Sequence, residues 1–206
     1  MGYEVKLITK EQQKTSTWSG GTTTQLAIYP DDADYGKRNF TWRLSTATVE
    51  AAESVFTSLP GIDRIIMILK GEIVLEHEGR YKKVLGKFDQ DSFSGSWVTK
   101  SIGQAVDFNL MMKEGCQGRL EAIILEKDEV KNITFEKKEE FPCSIQAIYI
   151  VSGSVVLQLP ERDPIQLQQG DMILISDKND YKNISYQIEN ITESNAEFVI
   201  AHIYHG

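Results

Sequence analysis

The sequence predicts an all-β protein made of two jelly-roll barrels in tandem, and three observations carry the prediction. Extended apolar runs recur at short intervals, each ended by glycine or a polar turn: IIMILKG, EIVLEHEG and RYKKVLGKFDQDSFSG follow one another from Ile65. The pattern then restates itself, because aligning Gly71 with Gly153, an offset of 82, also sets Ile73-Val74-Leu75 on Val155-Val156-Leu157. Helical periodicity is poor throughout, and only VEAAESVF allows a turn or two. Short strands at this spacing are the signature of a sandwich or barrel.

In chain order, residues 3 to 9 read as a first short strand. TSTWSGGTTTQLAIYP then combines Gly20-Gly21 with hydroxyl residues and an exposed Trp18, a loop leading into a strand. In that strand Thr24, Leu26 and Ile28 share one face, and Thr23, Gln25 and Ala27 the other. DDADYGKRN is an acidic turn. TWRLSTATV alternates, sending Trp42, Leu44 and Thr46 to one side and Arg43, Ser45 and Ala47 to the other. The chain breaks at Leu59-Pro60-Gly61, where Pro fixes φ and Gly tolerates a tight turn, and re-enters a strand with Asp63 and Arg64 at its mouth. VDFNLMMK places Asp107, Asn109 and Met111 on one face. The expected division is a first domain over 1–125, with its N-terminal loop and strand, and a second over 126–206. The charged stretch EKDEVKNITFEKKEEF lies outside between them as a strand or linker, and the closing strands of the C-terminus are open to a return into the first domain.

Composition removes several function classes. A net charge of −8 argues against a nucleic-acid surface and supplies no polybasic membrane patch. No apolar run approaches the roughly 20 residues of a membrane span, and MGYEVKLITKEQQ lacks the apolar core of a signal peptide, so a cytoplasmic protein is expected. Cys116 and Cys143 fit no metal pattern and are expected to be reduced and structural. The sequons at Asn39, Asn132, Asn183 and Asn190 mean little without a secretory route.

The chemistry concentrates at Arg43, Ser45, Asp63 and Arg64. A guanidinium offers a rigid fork of donors suited to a carboxylate or phosphate, so two arginines brought together by strand pairing suit a small anion. Against this stands the plain alternative that both are solvated or paired with carboxylates such as Asp63. Gly20-Gly21 resembles an anion cradle only weakly, since it lacks a lysine and runs into a strand. Asp63 and Asp107 are the candidate general bases, though nothing in their spacing singles out an acid/base pair.

Jelly rolls with this strand-Gly-strand pattern resemble cupins. Metal-binding cupins use an H-x-H pair, a downstream Glu and a further His, whereas this chain has only His77, His202 and His205, expected at the surface. Neither a metal nor another cofactor is expected. W-S-G-G-T-T-T-Q-L (Trp18 to Leu26), F-T-W-R-L-S-T-A (Phe40 to Ala47), F-T-S-L-P-G-I-D-R (Phe56 to Arg64), F-S-G (Phe93 to Gly95) and D-F-N-L-M (Asp107 to Met111) occur in one order. In that combination the chain resembles the HutD/Ves family of bicupins, associated with bacterial histidine utilisation. The resemblance is close over about the first 125 residues and rests on strand pattern beyond. It implies a metal-free pocket in the first barrel built from Trp18, Thr22, Gln25, Arg43, Ser45, Asp63, Arg64, Asp107 and Asn109, with Arg64 the leading anion-binding group. It further implies binding or sensing of a small organic anion. A metal-free isomerase or hydrolase and a structural interaction protein are the competing readings, and a homodimer is compatible with the fold. Where many members read Asn-Gly-Gly-Gly and then Thr-Arg-Glu, this chain has Ser19-Gly20-Gly21-Thr22 and Thr23-Thr24-Gln25, losing a charge pair.

Overall fold

The structure, a computed structural model, describes residues 2–135, 137–177 and 184–206, so the sequon at Asn183 lies outside the described residues. Among the described residues the chain forms two compact units, one of Gln13–Cys116 and one of Met1–Gln12 with Gln117–Gly206. This differs from the division at 125/126. The first strand, β1 (Tyr3–Ile8), belongs to the second unit, which begins again at residue 117. The closing strands stay in that second unit.

The first unit holds β2 (Lys14–Trp18), β3 (Gly21–Tyr29), β4 (Trp42–Val49), β5 (Glu53–Val55), β6 (Ile62–Gly71), β7 (Ile73–His77), β8 (Tyr81–Leu85), β9 (Gln90–Ser94), β10 (Thr99–Ile102) and β11 (Ala105–Lys113). They form an antiparallel six-stranded sheet in the order β2-β3-β4-β11-β6-β9 and a four-stranded sheet in the order β5-β10-β7-β8. VEAAESVF makes no helical turn: it ends β4, bends, and continues as β5. A core of Ile66, Ile68, Ile73, Leu75, Leu85 and Phe93 closes this unit where those strands turn their apolar residues inward.

The second unit adds β12 (Gln117–Leu125), β13 (Val130–Phe135), β14 (Cys143–Ser152), β15 (Ser154–Gln158), β16 (Ile165–Gln168), β17 (Met172–Asp177), β18 (Ile184–Asn190) and β19 (Ala196–His205). Its sheets run β1-β17-β14-β19-β12 and β13-β18-β15-β16, and the charged inter-domain stretch thereby supplies the edge strand β13. Cys116 is buried and Cys143 half-buried, and no disulfide joins them.

The internal repeat is a structural one. Gly71 and Gly153 take φ of +84° and +80° between consecutive strands, a region open to glycine without strain. The register slips at the same place in both units, between Val106 and Asp107 on β11 against β6, and between Ile150 and Ser152 on β14 against β19. Strand by strand, β4, β6, β9 and β11 of the first unit correspond to β12, β14, β17 and β19 of the second.

Candidate functional site

Antiparallel pairing sets residues that face one another across strands on the same side of a sheet. Arg43, Met111, Arg64 and Phe93 therefore form one inward row across β4, β11, β6 and β9. Two residues along lies Ser45 with Asn109, Ile66 and Asp91, and beyond it Ala47 with Asp107 and Ile68. The period of two that builds these strands thus lines up Arg43 and Ser45 with Arg64, Asp107 and Asn109, all five buried. They wall a cavity of about 290 Å³, to which Trp18, Tyr35, Phe56 and Met111 also contribute.

The two arginines are held by neutral groups. Arg43 donates from Nε to Gln25 Oε1 at 2.9 Å and from Nη1 to Ser45 Oγ at 3.1 Å, with its guanidinium over the Tyr35 ring at 4.3 Å. Arg64 donates from Nε to Asn109 Oδ1 at 3.4 Å and lies between Phe56, at 4.7 Å, and Phe93, at 5.2 Å. Aromatic faces attract cations and leave their donors free. Burial lowers the proton affinity of both, Arg64 to about 10, partly countered there by Asp107. Both therefore remain cations at neutral pH.

Asp107 is the counterpart. Burial raises its carboxyl to about 7, with Arg64 and Asn109 pulling the other way, and its Oδ1 is buried without a hydrogen-bond partner. A desolvated carboxylate with an unmet acceptor is costly to the fold.

Six sequence candidates line this cavity: Trp18, Arg43, Ser45, Arg64, Asp107 and Asn109. Gln25 stands behind the wall and acts through Arg43. Thr22 does not take part; it pairs with the exposed Thr48 on the outer face, and its neighbour Thr23 faces in. Asp63 is exposed, because the strand alternation that buries Arg64 turns Asp63 outward, so the carboxylate expected beside Arg64 comes from Asp107 instead. Gly20 and Gly21 do not line the cavity. Gly21 is needed because a Cβ there would sit 1.9 Å from Thr48 O, and Gly20 because one would meet the Trp18 ring. Sequence reasoning missed Tyr35 and Phe56, both outside the strands; Phe56 opens the F-T-S-L-P-G-I-D-R motif, while Tyr35 lies in an acidic turn with no signal of its own.

The histidines are not at the surface. His77, His202 and His205 are all buried. His77 bonds Thr99 Oγ1 through Nδ1 at 2.8 Å and Asp91 Oδ2 through Nε2 at 3.0 Å, with its ring against Tyr81, Phe93 and Trp97. The expectation of surface histidines fails because β7 and β19 are covered on the faces these residues occupy.

In the second unit the corresponding rows are filled differently. Arg119, His202, Gln146 and Ile175 take the places of Arg43, Met111, Arg64 and Phe93, while Ile200 and Phe198 take those of Asn109 and Asp107. Ile200 and Phe198 belong to a continuous apolar core.

Among the described residues no helix is long and apolar enough to cross a membrane. The fold is similar to a conserved protein of unknown function from Pseudomonas aeruginosa, with a TM-score of 0.79 at 21% identity over 98% of this chain and 99% of that one. It is also similar to HutD from Pseudomonas fluorescens in a formate condition, at a TM-score of 0.72 and 19% identity over 98% and 100%. Oxalate decarboxylase from Bacillus subtilis, a more distant likeness at 0.65 and 9% identity, is matched over 96% of this chain and 76% of that one. These likenesses show a two-cupin fold. Residues 10–193 match the HutD family itself, and the chain belongs to that family.

Proposed function

We propose that the first barrel binds a small organic anion, a carboxylate-bearing metabolite gripped by Arg64 and Arg43, and that the protein serves a sensing or regulatory role through that binding. One observation carries the reading: two guanidiniums are buried in one cavity wall on neutral partners, Gln25, Ser45 and Asn109. Among the described residues Asp107 is the one carboxylate lining the cavity with these two cations, so one positive charge is left unbalanced; burying it costs several kcal/mol, and a ligand carboxylate offsets that cost with charge-assisted hydrogen bonds. Two further facts support it. The second unit builds the same rows with Phe198 and Ile200 in its core, so the fold does not require Asp107 and Asn109. A relative of the same fold was solved in a formate condition, and formate is the smallest carboxylate. Membership of the HutD family supports metabolites of histidine breakdown as the first ligands to try.

The test is a thermal-shift screen of wild type and Arg64→Ala against small carboxylates and intermediates of histidine breakdown at millimolar concentration. A ligand at 100 times its dissociation constant adds about 2.7 kcal/mol of stability, which the wild type is expected to show and the variant to lack. No shift in either protein, with Arg64→Ala merely less stable, returns the arginines to a structural role.

A second reading is favoured by Asp107 alone. A carboxyl whose proton affinity sits at about 7 is suited to general-base work, with Arg64 stabilising developing negative charge in a metal-free isomerase or hydrolase. Conversion of a bound carboxylate seen by NMR, abolished in Asp107→Asn with binding retained, would establish it.

A further inference from the structure

The arginines account for one end of the cavity only, and what the other end selects rests on the anion-binding reading above. Both guanidiniums reach from the Met111 row towards the next one, where they bond Ser45 and Asn109. Asp107 stands one row further, roughly 7 Å along the strand. Asp107 lines the cavity, and its Oδ1 is buried without a hydrogen-bond partner among the described residues.

The charge balance narrows the ligand further. The charged groups lining the cavity are Arg43, Arg64 and Asp107, two cations and one anion. A monoanion brings this desolvated set to neutrality, whereas a zwitterion leaves a net cation and a dicarboxylate presses a second carboxylate against Asp107. A plain monocarboxylate balances the charge and still leaves Oδ1 unmet. We infer that the ligand is a monoanion with two functional ends, its carboxylate on Arg43 and Arg64 and a neutral N–H or O–H donor, a few ångströms away, on the Asp107 carboxylate. Asp107 is then the residue that sets specificity, and the arginines supply the attraction.

The titratable groups facing Asp107 across the cavity are Arg43 from β4, Arg64 from β6 and Tyr35 from the turn before β4; β2 and β5 contribute none. Asp107, held at about 7 by burial, changes charge near neutral pH, so a donor-bearing ligand gains affinity as pH rises and Asp107 becomes a charged acceptor. Two matched probes separate the possibilities. Succinamate and monomethyl succinate share one carboxylate and a similar length, but only succinamate carries N–H donors.

Calorimetric titration of the wild type is expected to show succinamate binding about tenfold or more tighter than monomethyl succinate, as one charge-assisted hydrogen bond implies. That preference should grow between pH 6 and 8. Asp107→Leu should abolish it while both probes still bind, and Asp107→Asn should remove its pH dependence. Leucine at 107 is compatible with the fold, since Phe198 occupies the corresponding place in the second unit. Equal affinity of the two probes in wild type, or an unchanged preference in Asp107→Leu, overturns this inference and leaves the anion site standing. Binding of neither probe to the wild type overturns the inference and the anion site together.

Discussion

Asp107 shows most clearly that single residues here are placed against the interests of the fold. Its carboxyl has an ordinary value of 3.8 and is held at about 7 by burial. Below the ordinary value it is protonated in both folded and unfolded chains and costs nothing. As pH rises from about 4 to 7 the unfolded chain releases this proton first, so the folded state is penalised by roughly 4 kcal/mol by the time the native carboxyl ionises. Urea denaturation across that range should therefore show stability falling more steeply in wild type than in Asp107→Asn, and parallel curves would refute the buried charge. Gln25 gives a second prediction at this scale. It accepts from Arg43 Nε at 2.9 Å without neutralising it, so Gln25→Glu should supply a resident counter-ion and weaken carboxylate binding about tenfold in calorimetry. The arginines, Ser45, Asp107 and Asn109 were legible in the sequence because strand alternation fixes their face. Thr22 was misplaced because a motif named it where alternation names Thr23, and Asp63 because it was taken with its neighbour Arg64, although adjacent strand residues face opposite ways.

At the scale of elements, two devices aim the site. A bulge between Gln25 and Ala27 shifts β3 against β4, so that Thr23 faces Ala47, Gln25 faces Ser45 and Ile28, in place of the expected Ala27, faces Arg43. No residue type in TTTQLAIY announces that slip. The other device is the contact between the F-S-G motif and the turn before β6. Gly95 donates to Ile62 O and accepts from Leu59 N, each at 2.7 Å, and a Cβ on it would lie 2.6 Å from Leu59 O and 2.8 Å from Ile62 O. Both contacts are backbone and have little room to give. Gly95→Ala should cost about 1–3 kcal/mol in chemical denaturation, and with the entry of β6 displaced it should also weaken any ligand held by Arg64. An unchanged midpoint would mean that this turn does not fix Arg64. The aromatic rings under the guanidiniums were the least legible part, because Tyr35 and Phe56 come from segments without periodicity.

For the whole molecule, the duplication read from the glycine offset is a correspondence of strands and bulges, and it was visible because each repeat spells apolar strand, glycine, apolar strand. The boundary was not visible. β1 pairs residue by residue with β17, from Tyr3 with Asp177 to Ile8 with Met172, a partnership across most of the chain that no local pattern encodes. The two units share a row of charged and amide side chains but differ beyond it: Asp107 and Asn109 line a cavity in one, where Phe198 and Ile200 join an isoleucine-rich core in the other. That contrast separates what the fold needs from what the site needs. The proposed anion site rests on the first barrel's arginines holding a carboxylate. The direct measurement is a crystal structure of the protein grown with 3-bromopropionate, with the bromine located by anomalous scattering. A bromine peak is expected inside the cavity with the carboxylate on Arg64 and Arg43, and none there in Arg64→Ala crystals grown alike. Bromine found only outside the cavity at saturating concentration would contradict the anion site.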